Sequence, residues 1–191
     1  MKNLVIENEF NGKPVNNHNG KFTLNNDILN RLDKLFSYSI NKHNKVFFVR
    51  FDVTFPEGFN STKPNQLISN FTESLIRCFK RKKYDPYYLW VREQNDSNHP
   101  HYHYVMLLDG NKIQYANTVW FKAEKLWNKQ LDIPLNYKGL IHYCNQFSSG
   151  LMLYRNNPDS LNQAFKWASY LAKNDSKNFN SEYRSVGMSR I

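Results

Sequence analysis

KVFFVRFDVTF, running from Lys45 to Phe55, alternates residue by residue. Phe47, Val49, Phe51, Val53 and Phe55 fall on one side, and Val46, Phe48, Arg50, Asp52 and Thr54 on the other. A period of two marks an extended strand, because successive side chains on a pleated backbone point to opposite faces. Pro56 and Gly58 end it. Two further strands are expected at Tyr87–Gln94 and His101–Leu108; Asn-Asp-Ser-Asn and Pro100 between them make this a hairpin. Short strands are expected at Leu140–Tyr143, Leu151–Tyr154 and Arg184–Ser189. Apolar residues recur at helical spacing over Asn26–Ile40, Asn65–Lys83, Asn117–Gln130 and Ser160–Lys173, with Asp159 or Ser160 capping the last. Hairpins mixed with helices read as α+β, a central antiparallel sheet with helices packed on it. Residues 1–40 read as an N-terminal extension with one amphipathic helix packed on the core, and 41–191 as the main domain.

The 191 residues carry 26 Lys and Arg against 16 Asp and Glu, a net charge of +10, and 16% are aromatic. Seven Gly and seven Pro exclude a collagen-like or low-complexity chain. No apolar run approaches the roughly 18 residues of a membrane span. Two cysteines make no disulfide framework, so a reducing, intracellular setting is the default. A basic, aromatic-rich chain fits a nucleic-acid partner, and equally a solvated lysine-rich surface.

The sharpest local feature is His99-Pro-His101-Tyr-His103. His101 and His103 lie at i and i+2 on one strand and share a face, where two imidazoles can hold one divalent metal. Glu93 ends the preceding strand, and closure of the hairpin sets it opposite His101, with side chains about 5 Å apart. Two imidazoles and a carboxylate suit zinc or other transition metals, and open water positions admit Mg2+ or Mn2+. A third element lies in the last helix. Gln163, Lys166, Tyr170, Lys173 and Lys177 form a polar stripe opposite an apolar one of Leu161, Ala164, Phe165, Ala168, Leu171 and Ala172. A tyrosine among lysines suits phosphate, and Tyr is a covalent nucleophile. The bland reading is an amphipathic surface tyrosine. Together the elements describe a phosphodiester-cleaving site: a metal on Glu93, His101 and His103 polarises the phosphate, Tyr170 attacks in line, and Lys173 stabilises the developing charge.

These residues resemble the HUH superfamily of single-strand DNA endonucleases. The opening strand Val46 to Pro56, the His101-Tyr-His103 triplet with Glu93 upstream, and Tyr170-x-x-Lys173 match its motifs in order. The single tyrosine is similar to the replication-initiator branch. WASYLAKND and YRSVGMSR look more narrowly like replication proteins of filamentous bacteriophages, the inoviruses, and their prophage relatives. The resemblance implies about five antiparallel strands with the histidine pair on a middle one. It implies nicking of a single-stranded or hairpin origin, a 5′-phosphotyrosine link and a free 3′-OH that initiates rolling-circle replication. It also implies Mn2+ or Mg2+ as the metal, a monomer in the cytoplasm of a bacterial host, no membrane, and a host helicase and polymerase as partners. His99, beyond the bend at Pro100, is placed as support for the pair. Arg50, Asp52 and Thr54 on the first strand, with Lys166, Lys177 and Arg184, are candidate DNA contacts; a half-exposed strand face explains the first three as well. Two other classes compete: a non-catalytic single-strand DNA-binding or regulatory protein, in which Tyr88, Trp90 or Tyr102 stacks bases, and a zinc hydrolase.

Overall fold

The structure, a computed structural model, describes residues 4–5, 7–59, 63–94, 99–143, 150–174 and 184–191. Four two-residue strands come first: β1 (Leu4–Val5), β2 (Glu9–Phe10), β3 (Lys13–Pro14) and β4 (Leu24–Asn25). Then follow α1 (Asn26–Lys42), β5 (Lys45–Val53), α2 (Pro64–Arg81), β6 (Tyr87–Glu93), β7 (His101–Asp109) and α3 (Ala116–Gln130). The chain continues through β8 (Ile141–Tyr143), β9 (Leu151–Tyr154), α4 (Pro158–Ala168), a 3-10 turn over Ser169–Ala172, and β10 (Val186–Met188).

Among the described residues six strands form one antiparallel sheet in the order β10-β6-β7-β5, with β8 and β9 sharing the outer edge of β5. The α+β class with a central antiparallel sheet is therefore observed, with six strands where about five are expected. β7 is the middle strand. It pairs with β5 from Val46↔Asp109 to Val53↔Tyr102, and with β6 from Tyr87↔Leu107 to Glu93↔His101.

Helices cover both faces. On one, Phe47, Val49, Phe51 and Val53 of β5 meet Tyr102, Tyr104 and Met106 of β7, under Phe71 and Leu75 of α2 and Val119 and Trp127 of α3. The phenol of Tyr104, fully buried, finds a partner in Thr72 Oγ1 at 2.7 Å. On the other face, Val46 and Phe48 join Leu89, Val91, Val105 and Leu107 under Leu32 and Phe36 of α1 and Phe165 and Trp167 of α4. Phe48 is fully buried, and its ring stacks on Trp167 at 5.8 Å between centroids. Burial of one such side chain contributes about 1.5–3 kcal/mol. This apolar cover stops partway along the strands, where Arg50 and Asp52 replace valine and phenylalanine.

The helix ends follow local chemistry. Asn25 Oδ1 accepts the Ile28 amide at 3.1 Å and caps α1. α4 starts earlier than expected, because Asn157 caps it with Pro158 at the first helical position, where the missing N–H costs nothing. It also stops earlier: the helical hydrogen bonding tightens after Ala168 into the 3-10 turn. The expected strand at Arg184–Ser189 is present as Val186–Met188, paired to β6. Among the described residues no helix is long and apolar enough to cross a membrane.

Gly187 tests this packing. A Cβ built there would stand 2.2 Å from the indole of Trp90, which is buried. Gly187→Ala should lower stability by about 1–3 kcal/mol, read as a lower urea midpoint at unchanged slope. An unchanged midpoint would show that β10 does not press on Trp90.

Candidate active site

The register builds a row of polar side chains at one end of the face that α1 and α4 cover. His103 on β7 lies between Val91 on β6 and Asp52 on β5, and Asp52 in turn pairs with His142 on β8. Glu93 stands directly opposite His101, as hairpin closure demands. His103 Nδ1 lies 2.7 Å from Asp52 Oδ1 and Nε2 lies 2.6 Å from Glu93 Oε2, so with both carboxylates ionised the ring donates at both ends. Only an imidazolium donates from both nitrogens. Burial alone would lower the pKa of His103, but the hydrogen bonds to Asp52 and Glu93 outweigh it and raise the value. Asp52 shows the converse balance: burial opposes its charge, and His103, Arg50 and His142 together hold its pKa below the ordinary value. His101, exposed at the rim, is shifted down by partial desolvation and then by the charge on His103, which favours the neutral, ligand-competent ring.

Two residues nearer the apolar cover, about 7 Å along β5, Arg50 reaches toward the end of α4. Its guanidinium lies over the Tyr170 ring, 4.9 Å from the centroid, and its Nη1 donates to the Trp167 carbonyl at 3.4 Å. Arg50 thus ties the polar row to Tyr170. The 3-10 turn changes the expected tyrosine–lysine stripe. Lys173 closes that turn, donating its amide to the Tyr170 carbonyl, and its ammonium stands over the Phe22 ring at 4.1 Å. Arg50 is a cation against the Tyr170 ring, and the His18 ring lies 6.1 Å away. Lys166 is exposed and lines a hollow with Asn16, Asn17 and His18.

Thr54 Oγ1 lies 3.3 Å from His142 Nε2. His99, expected behind the histidine pair, has its ring 6.2 Å from that of Phe55, a residue of the opposite core cluster. Arg184 is not brought to the polar row: it lies over Trp90, also of the opposite cluster, at 5.8 Å. Lys177 lies outside the described residues. His142 is the site-facing residue that sequence reasoning missed. Leu140 and Ile141 are both apolar, so alternation cannot assign His142 a face, and its pairing with Asp52 spans 90 positions without a local signal.

Among the described residues, no three His, Cys, Asp or Glu side chains already stand arranged to hold a metal ion. The donor chemistry fits a divalent cation all the same. His103 Nε2 and Glu93 Oε2 meet across one shared proton, where a cation would take both, and Asp52 fixes the other ring nitrogen as carboxylates do behind metal-bound histidines.

Residues 6–189 match the family described as YagK/YfjJ C-terminal domain. The match covers almost the whole chain, and the chain belongs to this family. No curated protein matches it, and no solved structure does.

In metal-free protein the His103 ring should titrate above the ordinary 6.5, and Asp52→Asn should move it down. Its contribution to stability is present below the ordinary histidine pKa and lost as pH rises through the raised value. That of Asp52 is present above the ordinary carboxylate pKa and lost as pH falls through the lowered one. NMR titration of the imidazole signals reads both; a His103 value indifferent to Asp52→Asn would break the assignment.

Proposed function

We propose that the chain, as a member of the YagK/YfjJ C-terminal domain family, nicks and rejoins single-stranded DNA through a covalent bond to Tyr170. The observation that carries this reading is the link through Arg50. One side chain leads from the row of His103, Asp52 and Glu93 to the only described tyrosine lying against it. A scissile phosphate between that row and Tyr170 would meet a guanidinium, and the phenol would be in reach of the phosphorus. The chemistry is a transesterification: the Tyr170 Oη–P bond forms and the P–O3′ bond breaks. The phenolic proton passes to solvent and the leaving 3′ oxygen takes one up, so the step consumes no oxidant or energy source. The product is a 5′-phosphotyrosine with a free 3′-OH, and the reverse step rejoins the strand.

Arg50 neutralises developing charge on the non-bridging oxygens. Lys166, exposed beside His18, is placed for the flanking backbone. Glu93, His101 and His103 are the residues that would hold Mn2+ or Mg2+, whose chemistry when bound is to offset phosphate charge. Asp52 orients His103, and His142, its cross-strand neighbour, favours the charged form of Asp52. Initiation of rolling-circle replication of a phage or plasmid, from a single-stranded or hairpin origin and with host helicase and polymerase, is the context this activity fits.

Incubation with labelled single-stranded DNA from the parent replicon and Mn2+ should give a protein–DNA adduct stable to denaturing electrophoresis. Tyr170→Phe should abolish the adduct, and His103→Ala should reduce it by about 100-fold or more, the scale of losing a metal-site residue. An adduct that survives Tyr170→Phe assigns the nucleophile elsewhere. Tight, metal-independent binding without cleavage would instead make this a non-catalytic DNA-binding protein.

A further inference from the structure

We propose that the outer side of α2 and α3 is a second nucleic-acid surface, which grips the phosphate backbone of duplex DNA across the sheet from Tyr170. Two grooves meet there. One, of about 540 Å³, runs between α2 and the β6 and β10 edge and presents Arg77, Lys80, Arg81 and Arg184. The other, of about 610 Å³, runs between α2 and α3 and presents Arg77, Arg81, Lys82, Lys122 and Lys129. Arg77 and Arg81 line both, so the grooves form one continuous track. Glu73 is the single carboxylate among the lining residues. It stands 3.9 Å from Arg77 on an exposed helix face, a pair that neutralises little. Such a one-sided field concentrates a polyanion.

The ring chemistry of the track argues for backbone rather than unpaired bases. Trp90 is 2% exposed and lies beneath Arg184 and against Gly187. It has no free face on which a base could stack, and stacking is what single-strand binders use. Lys82 lies over the Tyr84 ring at 5.7 Å, so its ring neighbour too is already engaged by a cation. Apart from Tyr88, a half-buried ring lining the first groove, what remains available is charge on the last turns of α2 and on α3. The basic residues of α2, Arg77 to Arg81, span about 6 Å, the length of roughly two base-pair steps of 3.4 Å, and Lys122 and Lys129 of α3 widen that footprint. Phosphate contacts of this kind position a protein on DNA and carry no sequence information.

The surface also absorbs two features that the Tyr170 site leaves unused. The basic run Lys80-Arg81-Lys82-Lys83 closes α2 away from the polar row, and Arg184 lies on the same side. A duplex held here leaves the opposite face open to a single strand, so flanking duplex would anchor the protein while Tyr170 works. That arrangement rests on the proposed nicking reaction; duplex binding itself does not.

The test is fluorescence anisotropy with a short duplex of arbitrary sequence, over about 50 to 200 mM salt. Arg81→Glu with Lys122→Glu should weaken binding at the lowest salt by about tenfold or more. It should also reduce the log–log salt slope by about two, one for each phosphate that the protein no longer neutralises. Arg81→Lys with Lys122→Arg should stay within about twofold of the unmodified protein, and circular dichroism should be the same for all three. Unchanged affinity and slope in the charge-reversed protein would overturn the proposal. So would polyglutamate binding to this surface as tightly as duplex, which would mark it as a site for acidic polypeptides. The Tyr170 adduct on a short single strand is read alongside. If it is absent from every protein while charge reversal still weakens duplex binding, the nicking reading fails and this surface stands. If it forms in every protein and duplex binding ignores the reversal, the surface alone fails.

Discussion

Everything in this molecule depends on the register between β5 and β7. A slip of one residue in an antiparallel pair sends every side chain of the strand to the other face. In the observed pairing Phe48 sits opposite Leu107, and four residues along the same face Asp52 sits opposite His103. The same register therefore builds the apolar cover under α1 and α4 and the polar row beyond it. It also sends Phe47, Val49, Phe51 and Val53 into the second core under α2 and α3. A strand buried on both faces at one end and polar on one face at the other has a single alignment that satisfies both halves. The apolar half holds the register, and the polar half inherits its geometry.

The polar row is the costly part of this arrangement. A buried imidazole is stable in its charged form only where carboxylates meet both nitrogens, and leaving a buried charge unpaired costs about 3–5 kcal/mol. His103 meets that condition through Asp52 and Glu93, which come from the strands on either side of it. Neither carboxylate has an apolar packing role. Arg50 extends the row to the end of α4, where the helix tightens into a 3-10 turn and presents Tyr170. The local break in helical geometry thus lies where the proposed nucleophile is, and the rigid sheet supplies its neighbours.

The strands were legible because β5 alternates, while β6 and β7 are short apolar and aromatic runs bounded by turn residues. The Glu93–His101 pairing was legible for the same reason, since a hairpin leaves little freedom in register. What stayed hidden depends on contacts distant in sequence or on helix ends. His142 enters the row through β8, a three-residue strand without alternation of its own. Trp167 stacks on Phe48 although helical periodicity put the apolar stripe on its neighbours. The expected stripe of Lys166, Tyr170 and Lys173 assumed 3.6 residues per turn through Lys173, whereas α4 ends at Ala168, a 3-10 turn carries Tyr170, and the Lys173 ammonium stands over Phe22. Asn157, not Asp159 or Ser160, caps α4 because Pro158 can follow it at the first helical position.

The proposed reaction needs a cation at the polar end of the sheet, beside Tyr170. Adding Mn2+ in small steps to isotope-labelled protein tests it most directly, because the paramagnetic ion broadens the nuclei nearest to it. Ring signals of His101 and His103 should disappear first and those of Tyr170 next. The signals of Trp127, across the sheet, should persist, and His101→Ala should abolish the selectivity. Uniform broadening over the surface, or selective broadening that spares His101 and His103, would contradict it.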